Sequence, residues 1–254
     1  MSELKALIFD VDGTLADTER HGHRVAFNEA FREHGLDWEW DEALYGELLA
    51  ITGGKERIRH YLSGHRPEFL QRDDIDTLIP ELHQAKTRHY LALLAEGRIP
   101  LRPGVERLLR QALDEGLRLA IATTTTPANV TALLSATLGE DSIGWFEVIG
   151  AGDIVPAKKP APDIYHWVLE RMGLAPGEAL ALEDSRNGLR SATGAGLRTL
   201  VTINGYTEKE DFTGATLVTD GLGEPDAPMR VLQGTLPGHD HITPQALRDL
   251  HAGG

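Results

Sequence analysis

The chain has 254 residues, 41% of them hydrophobic and 25% charged, a composition that builds a packed core and excludes wholesale disorder. It contains no cysteine, which excludes disulfides, thiolate metal sites and cysteine nucleophiles. A formal charge of −14 argues against nucleic-acid partners, which bind through a basic surface, and means that an anionic substrate needs local cations or a metal. No apolar run reaches the roughly eighteen residues of a membrane span, and the chain starts without a basic leader or cleavage site, so a cytoplasmic protein with no membrane partner is expected.

Residues 5–9 read as a buried strand, four apolar residues in succession. It runs into Asp10 and Asp12, two carboxylates two positions apart, and then Gly13, which lets the backbone turn. This places both aspartates where a strand leaves the core, facing solvent. From 17 to 34 the apolar spacing of Val25, Ala26, Ala30 and Phe31 is helical, and 41–50, 55–63 and 80–95 also read as amphipathic helices. No strand is expected between 16 and 97, and this exceeds the dozen or so residues that an ordinary crossover needs. A helix opens at Pro103-Gly104 and runs to about Gly116. Strands at 117–122, 146–149, 179–182 and 197–202 then alternate with helices at 128–138, 162–172 and 185–195. The tail adds a short edge strand at 217–218 and a helix at 244–251. His239 and His241 read as a solvated loop, not a metal pair. The alternation predicts an α/β fold: a Rossmann-like parallel sheet core with a small all-α cap inserted after the first strand. The domains expected are a core of 1–15 and 98–254 and a cap of 16–97.

Four strand ends carry chemistry: Asp10 and Asp12, the run starting Thr123-Thr124, the loop Lys158-Lys159-Pro160, and Glu183-Asp184. In a parallel sheet all four lie on the carboxyl edge, where ligands bind. Singly they have ordinary readings: a turn at Asp12-Gly13, threonine caps, a solvated lysine loop, and Asp184 or Ser185 as an N-cap. Together they make an oxygen-rich site with no thiolate or imidazole, which suggests magnesium. Thr123 offers a hydroxyl to phosphate oxygens and Lys159 a compact positive charge.

These motifs, Asp10-Val-Asp12-Gly-Thr14, Thr123, Lys159-Pro160-Ala-Pro-Asp163 and Leu182-Glu183-Asp184-Ser185, resemble in content and order the haloacid dehalogenase superfamily. The helical insert is similar to that family's small cap. Asp17-Thr18-Glu19, Gly22-His23-Arg24, Phe27-Asn28 and Thr52-Gly53-Gly54-Lys55-Glu56-Arg57 resemble the beta-phosphoglucomutase-like branch and, within it, the CbbY type, phosphatases of xylulose-1,5-bisphosphate. The resemblance implies Asp10 as nucleophile and Asp12 as general acid and base. It implies Thr123, the Thr124 amide and Lys159 as a phosphate clamp. It gives Mg2+ to Asp10, Asp12 through its backbone carbonyl, Glu183 and Asp184. Glu19, His23, Arg24 and Lys55 are implied to bind the distal part of a small phosphorylated sugar, with cap closure excluding water. Asn187 would touch the substrate or support the site, or lie on a helix surface. A monomer is expected. A phosphomutase is the alternative, because Asp12 and the cap serve both reactions; a non-catalytic binding protein retaining the fold is a third reading.

Overall fold

The structure, a computed structural model, describes residues 2–253. Strand β1 (Ala6–Phe9) is buried along its whole length, as its uninterrupted apolar run requires. Parallel to it on one side lies β2 (Arg118–Ala122) and on the other β4 (Ala179–Glu183), with Phe9 level with Ile121 and Leu182. Adding β3 (Phe146–Gly150), β5 (Arg198–Thr202), β6 (Leu217–Thr219) and β7 (Val231–Gln233) gives the order β3-β2-β1-β4-β5-β6-β7. All pairings are parallel except β6 with β7. Chain order reverses at β1, so the crevice between β1 and β4 is the topological switch point.

The predicted edge strand at 217–218 is therefore internal, and β7 is the edge. Sequence reading missed β7 because its three residues are all exposed and give no burial alternation.

The chain divides into two units, residues up to Asp17 with Pro100 onward, and Thr18–Ile99. The first holds the sheet and α5 (Val105–Asp114), α6 (Pro127–Leu138), α7 (Asp163–Met172), α8 (Arg186–Gly194) and α9 (Pro244–Ala252). Polar side chains start several of these helices: Thr126 accepts the Asn129 amide, Ser185 that of Gly188, and Thr243 that of Ala246. Ser185, not Asp184, is thus the cap of α8, which leaves the Asp184 carboxylate for other work.

The second unit is helical, with α1 (Arg24–Glu33), α2 (Glu42–Leu48), α3 (Gly54–His65) and α4 (Ile75–Ala95). The single helix expected over 17–34 is instead a π-helical turn, Glu19–His23, running into α1. Gly22 lies so close to Tyr90 and Ile99 that a Cβ there would come within 2.6 Å of Ile99 Cδ1. Helix α4 starts a turn before its predicted start and contains Pro80. Aromatic rings fill the unit's core: Trp40 packs 4.7 Å from Phe27 and 4.9 Å from Phe31 between centroids. The buried Asn28 exchanges two hydrogen bonds with the Trp40 backbone, at 2.8 and 2.9 Å, and so ties that loop to α1.

Candidate active site

Asp10 follows β1 directly, and its amide donates to the Leu182 carbonyl of β4 at 3.0 Å. That bond sets the end of β1 beside the end of β4, so Asp10 meets Glu183 and Asp184. The three side chains are buried, and one oxygen from each lies within 4.8 Å of the others. Lys159, from the loop before α7, sits between two of them, donating to Asp10 Oδ1 at 2.7 Å and to Glu183 Oε1 at 2.6 Å. Tyr165, on α7, donates its hydroxyl to the same Glu183 oxygen at 2.5 Å. The Lys159 ammonium also lies 5.2 Å from the Tyr165 ring centroid.

Burial governs the ionisation of this group. It pushes Asp10 up to about 7; Lys159 opposes the rise, while Glu183 and Asp12 add to it. For Lys159 burial favours the neutral amine, but the charges of Asp10 and Glu183 and its hydrogen bonds to both prevail and raise it. Tyr165 is raised well above the usual phenol range by burial and then by Glu183, so it stays a donor. The solvent-facing position expected for Asp10 is not found: its carboxylate is buried and ion-paired, because Lys159 folds back over it.

Three carboxylates against one ammonium leave an excess of negative charge in a small volume. The Oε2 of Glu183 is buried with no hydrogen-bond partner among the described residues. Such an all-oxygen donor set with an orphaned buried acceptor fits a hard divalent cation. Two glycines make room for the Glu183 and Asp184 carboxylates. A Cβ on Gly188 would stand 1.8 Å from Glu183 Oε2, and one on Gly13 would stand 2.2 Å from Asp184 Oδ2. Gly13 also has φ +83°, the left-handed region that favours glycine.

The other predicted residues fall as follows. The Asp12 carboxylate is not in the three-residue cluster; the residue is half-buried just after Asp10, with its main chain in a bridge to Ala16. Thr123 is buried at the end of β2, its amide donating to Gly150 O at 2.9 Å and its hydroxyl accepting from the Thr125 amide at 3.3 Å. Thr124 beside it is half-buried.

In the helical unit, Glu19 accepts from the Tyr45 hydroxyl, which accepts from Arg57 Nη1 at 3.0 Å. His23 is buried with Nδ1 2.8 Å from Lys86 Nζ. Arg24 reaches the Trp40 carbonyl at 3.4 Å and Glu42 at 4.0 Å. Lys55 is half-buried in the first turn of α3. The preceding glycines have local reasons: Gly53 has φ +97°, and a Cβ on Gly54 would meet His83 Cδ2 at 2.5 Å. In the tail, His239 pairs with Asp249 at 2.8 Å and His241 with Asp240 at 2.6 Å.

Sequence reading missed Tyr165, Asn204 and Arg102. Tyr165 lies in the buried stripe of α7 with Ile164, Val168 and Leu169, so it looks like core. Asn204-Gly205 carries only a turn signal. Yet Asn204 Nδ2 donates to Asp184 Oδ2 at 2.7 Å. The Arg102 guanidinium, lowered in pKa by burial, donates to the carbonyls of Gly13, Thr202 and Ile203. It thereby joins the loop after β1 to the end of β5.

A family profile described as "Hydrolase: haloacid dehalogenase-like hydrolase" matches residues 4–196. The chain is 52% identical over 226 residues to "Protein CbbY, plasmid" of Cupriavidus necator, covering 89% of each chain. The crystal structure of CbbY from Rhodobacter sphaeroides in complex with phosphate matches with TM-score 0.79 and 50% identity, over 86% of this chain and 94% of that one. An aspartate-to-asparagine mutant of that protein, crystallised with xylulose-(1,5)bisphosphate, matches with TM-score 0.79 and 49% identity over the same shares. Profile, fold and the placing of the carboxylates at the switch point agree: the chain belongs to the haloacid dehalogenase-like hydrolases and is a CbbY-type member of that family.

Proposed function

We propose that this phosphoric monoester hydrolase removes a phosphate from small sugar bisphosphates, with xylulose-1,5-bisphosphate as substrate and Mg2+ as cofactor. The observation that carries the reading is the buried cluster of Asp10, Lys159, Glu183 and Asp184 at the β1–β4 switch point. The Rhodobacter sphaeroides relative crystallised with xylulose-(1,5)bisphosphate supports the choice of substrate.

In this reading a carboxylate oxygen of Asp10 attacks phosphorus, and the bond from phosphorus to the sugar oxygen breaks. Asp12 gives its proton to that leaving oxygen. Asp12 then takes a proton from water, whose oxygen attacks the phosphorus of the aspartyl phosphate, releasing inorganic phosphate and restoring Asp10. Thr123, the Thr124 amide and Lys159 hold the transferring group, with Lys159 exchanging a carboxylate partner for a phosphate oxygen. Asp10, the Asp12 carbonyl, Glu183 and Asp184 hold the cation, which when bound screens the negative charge of nucleophile and phosphate from each other. Glu19, His23, Arg24 and Lys55 bind the distal end of the substrate, Arg24 and Lys55 serving a second phosphate. The protein works as a cytoplasmic monomer.

The test is phosphate release, with and without Mg2+, from xylulose-1,5-bisphosphate against β-glucose-1-phosphate supplied with a bisphosphate activator. Magnesium-dependent free phosphate from the first supports the proposal. Isomerised sugar phosphate without free phosphate from the second identifies a mutase instead. A Lys55→Ala variant refines the substrate class: its KM is expected to rise about tenfold or more for the bisphosphate and little for a monophosphate, consistent with one lost charged contact. Equal effects on both would remove Lys55 from the second phosphate.

A further inference from the structure

We infer that Asn204 is a positioning residue for the cation site, its side-chain amide fixing the carboxylate of Asp184 in the orientation that groups it with Asp10 and Glu183. This rests on the reading of those three residues as a divalent-cation site. Asn204 lies just after β5, outside every motif that marks the site in the sequence.

Its geometry leaves little freedom. Asn204 Oδ1 accepts the Tyr206 backbone amide at 2.9 Å, and the Asn204 backbone amide donates to the Thr207 hydroxyl at 3.0 Å. With Oδ1 committed to a backbone donor, the NH2 end of the side chain is the one turned toward Asp184, and it donates to Oδ2 at 2.7 Å. The assignment of the amide therefore follows from its own turn. A carboxylate rotates broadly about its last torsion unless something holds one oxygen. Here the Asn204 amide holds Oδ2 on one side. On the other, the backbone of Gly13 comes so close that a Cβ there would stand 2.2 Å from Asp184 Oδ2 and 2.7 Å from Asn204 Nδ2.

Asn204 is itself placed. Arg102 donates to the Gly13 carbonyl, to Thr202 O at 3.0 Å and to Ile203 O at 2.5 Å. One half-buried guanidinium thus binds both the loop that packs on Asp184 and the residues leading to Asn204. Hydrogen-bond partners of ligating carboxylates set ligand orientation, and their loss typically weakens metal binding by about 10- to 100-fold.

The experiment titrates Mg2+ alone into the full chain by calorimetry, comparing wild type with Asn204→Ala and Thr207→Ala. The second variant loosens the turn but keeps the amide on Asp184. Circular dichroism establishes that each variant is folded; Asn204→Ser replaces the alanine variant if that one is not. The expected result is a Kd for Mg2+ raised about tenfold by the Asn204 variant and unchanged by Thr207→Ala. A folded Asn204 variant that binds Mg2+ like wild type overturns the proposal. So does an equal loss in Thr207→Ala, which would make the turn and not the amide responsible. If wild type takes up no Mg2+, the cation reading of the site fails and this proposal with it; wild-type binding matched by the Asn204 variant defeats the proposal alone.

Discussion

Asp10 is buried, and under the proposed mechanism it must also carry the reacting charge, two properties that normally exclude each other. Burial raises its pKa to about 7, so in the metal-free protein its ionised form is disfavoured. An Asp10→Asn variant is therefore expected to fold, since the amide keeps the shape and its oxygen still accepts from Lys159. The same variant should lose phosphate release by at least about three orders of magnitude, as loss of a nucleophile does. Turnover near wild type would show that Asp10 is not the nucleophile. Lys159 is the opposite case. Lys159→Met leaves Asp10 and Glu183 buried beside each other without their shared cation. A destabilisation of about 3–5 kcal/mol is expected in denaturant titrations without divalent ions, and added Mg2+ should recover more of it than it adds to wild type. Gly188→Ala tests the room left for Glu183: the added methyl would overlap its carboxylate. Mg2+ affinity should fall in that variant, while an exposed helical glycine replaced by alanine would merely gain stability.

At the level of elements, legibility follows burial. Strands β1, β2 and β4 are readable because buried parallel strands are continuous apolar runs, and each ends on a motif. Strand β7 is not, since it is exposed throughout and pairs with β6 at the edge of the sheet. Helix starts were readable where a side chain supplies the cap. Thr126 is such a case, and Thr126→Ala should lower stability by about 1 kcal/mol, read from the denaturant midpoint. The π-helical turn at Glu19–His23 was illegible for a different reason. Within it Gly22 packs against Tyr90 and Ile99, more than sixty positions away, and no local spacing encodes that contact. The site divides in the same manner. Asp10, Thr123, Glu183 and Asp184 announce themselves as polar groups at the ends of apolar runs, and Lys159 through its Lys-Lys-Pro loop. Tyr165, Asn204 and Arg102 act through partners brought near only by the fold, and the first looks like an ordinary core residue.

For the whole molecule, the fold can be read as a device for holding excess negative charge at one place in the sheet, and pH is the handle that exposes it. The carboxyl of Asp10 is raised from an ordinary carboxylate value to about 7 in the metal-free protein. A raised acid contributes stability that is complete below its unfolded pKa and is lost as pH climbs through the folded one, so this group makes the metal-free protein less stable as pH rises toward about 7. A cation binds the ionised carboxylate and must displace the proton below that pH. Mg2+ affinity is accordingly expected to rise with pH up to about 7 and then level off. Thermal melts with and without saturating Mg2+, run between about pH 5 and pH 8, check this. The melting-point gain from Mg2+ should widen with pH, because the unliganded protein weakens while the cation binds more tightly. Asp10→Asn, which cannot titrate, should flatten the dependence. A gain that stays constant in wild type, or a slope that survives in Asp10→Asn, would mean that the proton competing with the cation sits on a different group.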